Sequence, residues 1–254
     1  FAESPRQAGL LYVGTDDGNV QLTRNGGTSW TNVTPPAAGD GLVNELEISP
    51  HDPATVYLSF RKDRVGDPTQ YIYKSTNYGQ SWSLIVNGLR NGEPVRVVRE
   101  DPERKGLLFA GTETGVYMSY DGGANWHAWS GNFPVVPVTD LEVRHGDLIA
   151  ATEGRAFWIL DDLSVVRQHA DSVMTAAAHL YKPRAAVGTG GGGGFFTPRN
   201  AGANPRGPAV VFYRLNAAPD SSATVKLEFL DSRGTVMRSV SNREGTGNNR
   251  LSPP

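Results

Sequence analysis

The sequence contains no cysteine, no long apolar run and almost no excess of charge of either sign. Without cysteine, disulfide frameworks, thiol catalysis and cysteine-ligated zinc or iron–sulfur centres are excluded. The apolar runs have five residues or fewer, far short of the ~20 residues that a membrane-spanning helix needs. Lys plus Arg total 24 and Asp plus Glu total 26, a net charge of −2, which argues against a nucleic-acid-binding or polybasic membrane-surface protein.

Helical periodicity is also scarce, whereas glycine is abundant, at 30 of 254 residues. Apolar residues alternate with other residues instead, as in Leu11 and Val13 or in Val116 and Met118. Alternation is typical of strands, and glycine is typical of tight turns. The composition therefore predicts an all-β protein.

A turn motif occurs three times, as TRNGGTSW over 23–30, STNYGQSW over 75–82 and SYDGGANW over 119–126. The shared pattern is [ST]-x-[ND]-x-G-x-x-W, and its tryptophans lie 52 and 44 residues apart. Propeller blades of four strands repeat every ~40–50 residues. The spacing therefore predicts a β-propeller with one turn motif in each blade.

Each residue type in the motif has a structural role, so the motif is interpreted as a hairpin staple without chemistry. The Asn or Asp side chain accepts backbone N–H groups of its own turn, and glycine takes the positive φ that the hairpin needs. The hydroxyl closes the same turn, and the tryptophan begins the next strand and packs between sheets. The predicted structural residues are Thr23, Asn25, Gly27, Trp30, Ser75, Asn77, Gly79, Trp82, Ser119, Asp121, Gly123 and Trp126.

The motif resembles the Asp-box, or BNR, repeat of sialidases, sortilin-type receptors and two-propeller xyloglucan hydrolases. It is most similar to secreted bacterial proteins labelled as BNR-repeat glycosyl hydrolases or as containing a sortilin N-terminal domain. The segment TEGRAFWILDD over 152–162 resembles the pattern that ends the last blade in that family. The resemblance covers about residues 8–185 and implies a propeller that works as a secreted, periplasmic or cell-surface protein.

The strand pattern predicts a partial β-propeller of about three and a half four-stranded blades over residues 1–168. The innermost strand of the first blade is expected to precede Phe1, and a last strand is expected near 163–168. Propellers typically have ~4–8 blades and close on themselves. We therefore expect a C-terminal fragment of a longer propeller, with a closed four-bladed ring as the rival, and we expect missing blades or a partner chain to cover the open edges.

The tail divides into two further predicted segments. Residues 169–205, with a glycine run over 188–196, are interpreted as a Gly/Pro-rich linker, because the run lacks the Lys-Ser/Thr pair of a phosphate-binding loop. Residues 206–254 contain three predicted strands, too few for a stable sandwich. They resemble the start of the immunoglobulin-like domain that follows the propeller in the bacterial family, so an incomplete immunoglobulin-like β-sandwich is expected.

The turns between the second and third strands are expected at the opposite end of the blades from the turn motifs. In the family, ligands usually bind on that face, and long loops on a rigid scaffold commonly carry function. The longest insertion, over 61–71, lies there as well. The candidate ligand-binding residues are Asp16, Asp17, Arg61, Asp63, Arg64, Glu113, Glu153 and Arg155.

Catalysis would require two carboxylates that flank a glycosidic bond. Asp17, Glu113 and Glu153 occupy equivalent turns of different blades and are the candidate catalytic residues, although solvated turn residues are the simpler interpretation. Histidines show no metal-ligand spacing, so neither a metal nor a cofactor is expected.

Two functional hypotheses follow. The first is an extracellular binding or scaffold module, sortilin-like, for a peptide, glycan or protein ligand, with no nucleic acid and no membrane span. The alternative is part of a sialidase-like or xyloglucanase-like glycoside hydrolase whose catalytic residues lie mostly outside this chain. Both rest mainly on fold-level analogy.

Overall fold

A computed structural model describes residues 1–129, 131–185, 210–220 and 222–241. The chain divides into two compact units, the first ending at Leu163 and the second beginning at Ser164. Within the described residues, no helix is long and apolar enough to cross a membrane.

The first unit consists of four antiparallel sheets, which we call blades 1 to 4. In each blade the strands pair in chain order, so every blade is a simple meander. Blade 1 contains β1 (Ala2–Glu3), β2 (Leu11–Gly14), β3 (Val20–Thr23) and β4 (Thr31–Asn32). Blade 2 contains β5 (Leu42–Ile48), β6 (Val56–Lys62), β7 (Asp67–Ser75) and β8 (Ser83–Leu84). Blade 3 contains β9 (Val95–Glu100), β10 (Leu108–Thr112), β11 (Val116–Ser119) and β12 (His127–Ala128). Blade 4 contains β13 (Val138–Arg144), β14 (Asp147–Thr152) and β15 (Phe157–Leu160).

This architecture confirms the prediction of an all-β chain with four-stranded propeller blades, and it corrects blade 1. An innermost strand before Phe1 was expected, but β1 pairs with β2, with Ala2 opposite Tyr12 and Glu3 opposite Leu11. The strand is only two residues long, so it carries almost no alternation that a sequence pattern could show.

Blade 4 also differs from its prediction. The segment expected as a strand near 163–168 contains α1 (Ser164–Arg167), which belongs to the second unit. Valine at two adjacent positions favours a strand, but the segment does not pair with β15.

The core of the first unit lies between the blades. The first strands of neighbouring blades pack together, β1 on β5, β5 on β9 and β9 on β13. Strands β10 and β11 of blade 3 are buried on both faces, so β10 consists of a continuous run of apolar or small residues. One buried cluster joins blades 1 and 2 and includes Leu10, Tyr12, Val20, Leu58 and Phe60; a second joins blades 2 and 3.

The turn motif has the same hydrogen bonds in each of its three copies. In blade 2 the Ser75 hydroxyl accepts the N–H of Gly79 at 2.8 Å and donates to Asn77 Oδ1 at 2.9 Å. The same Asn77 oxygen accepts the N–H of Ser81 at 2.9 Å. Thr23 and Ser119 hold their turns in the same way. The motif therefore closes the hairpin with side-chain acceptors where backbone pairing stops.

The second unit contains α2 (Asp171–Thr175), β16 (Ala178–Leu180), β17 (Tyr213–Leu215), β18 (Lys226–Leu230) and β19 (Val236–Ser241). Strand β16 pairs with β17, and β18 pairs with β19. Part of the predicted linker 169–205 is thus helix and strand, and the glycine run over 188–196 lies outside the described residues. The immunoglobulin-like interpretation stays a prediction.

Candidate functional site

The turns between the second and third strands bring carboxylates from several blades to one end of the first unit. Each candidate carboxylate lies in the turn after a second strand: Asp17 after β2, Glu113 after β10 and Glu153 after β14. Because these strands run in equivalent directions in successive blades, their ends meet on one face. The turn motifs follow the third strands and lie at the opposite end.

Glu113 lies at the centre of an ion network on this face. Arg96, on the first strand of blade 3, donates from Nε and from one terminal nitrogen to the two Glu113 oxygens, at 2.8 and 3.0 Å. This paired geometry is the strongest form of Arg–carboxylate contact. The same Arg96 guanidinium lies 3.4 Å from Glu153 of blade 4.

Arg61 extends the network to blade 2. Its guanidinium donates to both oxygens of Asp63, at 3.0 and 2.7 Å, and lies 3.5 Å from Glu113. The Arg61 contact holds the pKa of Asp63 below its usual range. Blades 2, 3 and 4 are therefore linked by charge at this end.

A cleft of about 220 Å³ lies beside this network. Its lining includes carboxylates from blade 1 and from the connection to blade 2, and cations from β6 and the 3-10 turn over Asp63–Val65. Its charged lining residues are Asp16, Asp17, Asp40, Arg61, Lys62 and Arg64. Hydrogen bonds from Thr15 and Asn19 hold the pKa of Asp17 below its usual range, so this carboxylate is ionised at neutral pH.

Several cleft charges have no ionic partner within the described part of the chain. Asp16, Asp40 and Arg64 form no ion pair there, and Lys62 lies over the ring of Tyr71 at 5.4 Å. Unpaired charges of both signs are thus available to a ligand in the cleft.

The predicted residues fall into three groups. Arg61, Asp63, Glu113 and Glu153 are brought together in the network, and Asp16, Asp17 and Arg64 line the cleft with Arg61. The side chain of Arg155 has no partner among the described residues, although its carbonyl accepts the indole N–H of Trp158 at 3.1 Å.

Sequence reasoning did not single out Arg96, although it holds Glu113. The only signal was its place near the start of a predicted first strand, opposite the end of the second strand. Asn44 donates to the Arg96 carbonyl, and Ser59 donates to the same oxygen at 2.9 Å, so this strand end is tied to blade 2 by its backbone as well.

A second ionic cluster, also not predicted, lies along the first strands. Arg99 on β9 contacts Glu45 on β5 at 2.8 Å and Asp140 on β13 at 3.0 Å, and its Nε donates to the Leu141 carbonyl at 2.9 Å. Burial raises the pKa of nearby Glu47 to about 7, against the opposing effect of Arg99. A charged pair at alternate positions of one predicted strand, Glu45 and Glu47, was the available signal.

The geometry argues against a free carboxylate pair for glycoside hydrolysis. Both oxygens of Glu113 are occupied by Arg96, and Glu153 shares the same guanidinium. Glycoside hydrolysis needs two carboxyl groups that are free to reach the substrate. The described residues contain no group of three His, Asp or Glu side chains placed to hold a metal ion.

Solved structures of β-propeller proteins resemble this chain at low identity. YCF48 bound to D1 peptide is 18% identical over 63% of this chain and 54% of its own, with a TM-score of 0.46. A GH74 xyloglucanase from Xanthomonas campestris is 16% identical over 62% of this chain and 28% of its own, with a TM-score of 0.49. The GH74 enzyme of Niastella koreensis is 20% identical over 59% of this chain and 25% of its own, with a TM-score of 0.48.

The chain thus spans about half the length of the first structure and about a quarter of the other two. No family model and no curated protein matches the sequence. At these identities the likeness concerns the fold alone.

Proposed function

We propose that the first unit is a binding module of the Asp-box propeller type, and that its cleft holds a polypeptide segment with charged side chains. One observation carries the proposal: the cleft is lined by charges of both signs, and three of them, Asp16, Asp40 and Arg64, form no ion pair within the described residues. A peptide with basic and acidic side chains offers the complementary charges.

The neighbouring ion network supports a binding role. Arg61 of blade 2 contacts Glu113, which Arg96 holds within blade 3, so the Arg61 guanidinium is held in place before a ligand arrives. Preorganised charges lose less entropy when they bind. The proposed site of action, secreted, periplasmic or at the cell surface, rests only on the resemblance of the repeat to secreted proteins.

The test is a binding screen of the purified chain against arrayed, fluorescein-labelled hexapeptides of varied charge. We expect peptides that carry both basic and acidic residues to bind, with affinity that falls as salt rises. The double variant Asp16→Asn/Asp40→Asn should weaken binding of the best peptide by about tenfold. Glu3→Gln/Glu142→Gln, which removes the same charge from exposed strand positions, should leave it unchanged.

Two results would overturn the proposal. One is equal binding by the cleft variant and its charge-matched control. The other is turnover of aryl glycosides that is lost in Glu153→Gln or Glu113→Gln, which would identify the face as a hydrolase site.

A further inference from the structure

Blade 4 differs from the other blades because no fourth strand among the described residues pairs with its outer edge. Blades 1, 2 and 3 each end with a two-residue fourth strand that begins just after the tryptophan of the turn motif. Within the described residues, β15 pairs only with β14. The sequence over 160–163, LDDL, has neither the turn motif nor its tryptophan.

The complete blades show how a fourth strand docks. The residue three positions after each tryptophan donates its N–H to a carbonyl of the third strand. The pairs are Val33 with Val20 at 2.9 Å, Ile85 with Ile72 at 2.9 Å and Trp129 with Val116 at 2.8 Å. In blade 4 the equivalent carbonyl belongs to Phe157, because Ala151 is opposite Phe157 as Gly111 is opposite Val116.

The complete blades also show where the tryptophan goes. Trp82 donates its indole N–H to the Val33 carbonyl of the preceding blade at 2.7 Å, and Trp126 donates to the Ile85 carbonyl at 2.8 Å. Trp126 is only 3% exposed and belongs to the buried cluster that joins blades 2 and 3. The indole therefore fills the junction between two blades.

The junction between blades 3 and 4 contains an open cavity at the corresponding place. Leu148, Ala150 and Trp158 line it, and strand register makes them the equivalents of Leu108, Ala110 and Tyr117, which share the buried cluster with Trp126. Trp129, at the position that Ile85 has in blade 2, lines the other side, and Phe133 adds a third aromatic ring.

We propose that blade 4 is a strand-addition site for an extended peptide segment of the pattern Trp-x-x-Val/Ile. The segment pairs with the free edge of β15, donates an N–H to the Phe157 carbonyl and places its indole in the cavity. Exposed sheet edges bind peptides in this way, with backbone pairing for affinity and side-chain pockets for specificity. The exposed apolar side chains of Phe157 and Ile159, 74% and 57% accessible, flank the same edge.

The experiment uses the whole chain and a peptide that copies residues 79–87. This segment contains the motif tryptophan and the fourth strand of blade 2. Binding is followed by fluorescence anisotropy of the labelled peptide. We expect saturable one-to-one binding, weakened at least about tenfold when the peptide tryptophan is replaced by alanine. Hydrogen exchange at Phe157 and Ile159, whose N–H groups point away from β14, should slow when the peptide binds.

Two matched protein variants test whether the peptide indole occupies the cavity. Ala150→Leu fills the cavity and should weaken binding about tenfold or more, whereas Ala151→Leu, on the other face of β14, should not. Circular dichroism and thermal unfolding show whether each variant is folded, and the alanine peptide tests the site in the unchanged protein. Equal binding of the two peptides would overturn the proposal. Slow exchange at Phe157 and Ile159 in the free protein would also overturn it, because these N–H groups point away from β14 and would then already be covered.

Discussion

At the scale of single residues, Glu47 has an unusual environment for a carboxyl group. Its carboxyl group lies beside Arg99 and near two further carboxylates, Glu45 and Glu100, and burial raises its pKa to about 7. Because Arg99 also forms ion pairs with Glu45 and Asp140, several carboxyl groups share one guanidinium. The excess of carboxylates over cations is therefore relieved by protonation of Glu47.

We predict that Glu47→Gln changes the pH dependence of stability. The ordinary pKa of Glu47 is 4.5, so the folded state binds its proton more tightly than the unfolded state between about pH 4.5 and 7. The contribution of Glu47 to the free energy of unfolding is therefore fully present below that range, and it is lost as pH rises through 7. Between pH 5 and pH 8, the free energy of unfolding of the variant should rise by roughly 2–3 kcal/mol relative to that of the natural protein, measured by urea unfolding.

Glu142→Gln is the control for this prediction, because Glu142 is exposed on β13 and lies 3.7 Å from Arg144. Its stability should follow the natural protein at every pH. Parallel pH profiles for Glu47→Gln and the natural protein would contradict the argument.

At the scale of structural elements, the hairpin closed by each turn motif depends on one hydroxyl. Ser75 is 1% exposed, and its oxygen accepts the buried N–H of Gly79. Without that acceptor the Gly79 N–H has no hydrogen-bond partner in the interior, and a buried unsatisfied donor destabilises the folded state.

Ser75→Ala should therefore destabilise the first unit by about 1–3 kcal/mol, measured by chemical unfolding. Ser75→Thr should be nearly neutral, since threonine has this role at Thr23. Ser83→Ala, at an exposed position of β8, is the control. If Ser75→Ala lowered the free energy of unfolding as little as Ser83→Ala does, the Ser75 hydroxyl would not be the group that closes the turn.

At the scale of the whole first unit, stability depends on how blades pack on one another. The tryptophans of the three motifs are alike in sequence but not in environment. Trp126 is buried and bonded to blade 2, whereas Trp30 is 45% exposed and its indole has no acceptor among the described residues. Trp30 faces outward from the first blade because no blade packs against it in this structure.

We predict that Trp126→Ala costs about 3–5 kcal/mol, as is usual for a large buried aromatic residue, and that Trp30→Ala costs under about 1 kcal/mol. Both values come from urea unfolding of the whole chain at several protein concentrations. An equal cost at the two positions would mean that Trp30 is covered in solution, and a dependence on concentration would then point to association.

The sequence by itself determined the blade repeat and most strands, because strand alternation and turn chemistry are local. Thr23, Ser75 and Ser119 close turns within four residues of themselves, so a single copy of the motif contains all the partners that it needs. The same locality explains why the candidate carboxylates were placed on one face: the blade meander fixes which strand ends lie together.

Only the tertiary structure decided which side chains meet across blades. Arg96 and Glu113 are 17 residues apart in one blade, but Arg61 and Glu113 are 52 apart. No local pattern in the sequence indicates that the guanidinium groups of Arg61 and Arg96 converge on the Glu113 carboxylate. The two-residue strand at Ala2 and the helix at Ser164 likewise depend on whether a neighbouring strand is available to pair. Long-range packing leaves no repeating pattern in the sequence, and it determined the ion network, the cleft and the pairing of blade 4 within the described residues.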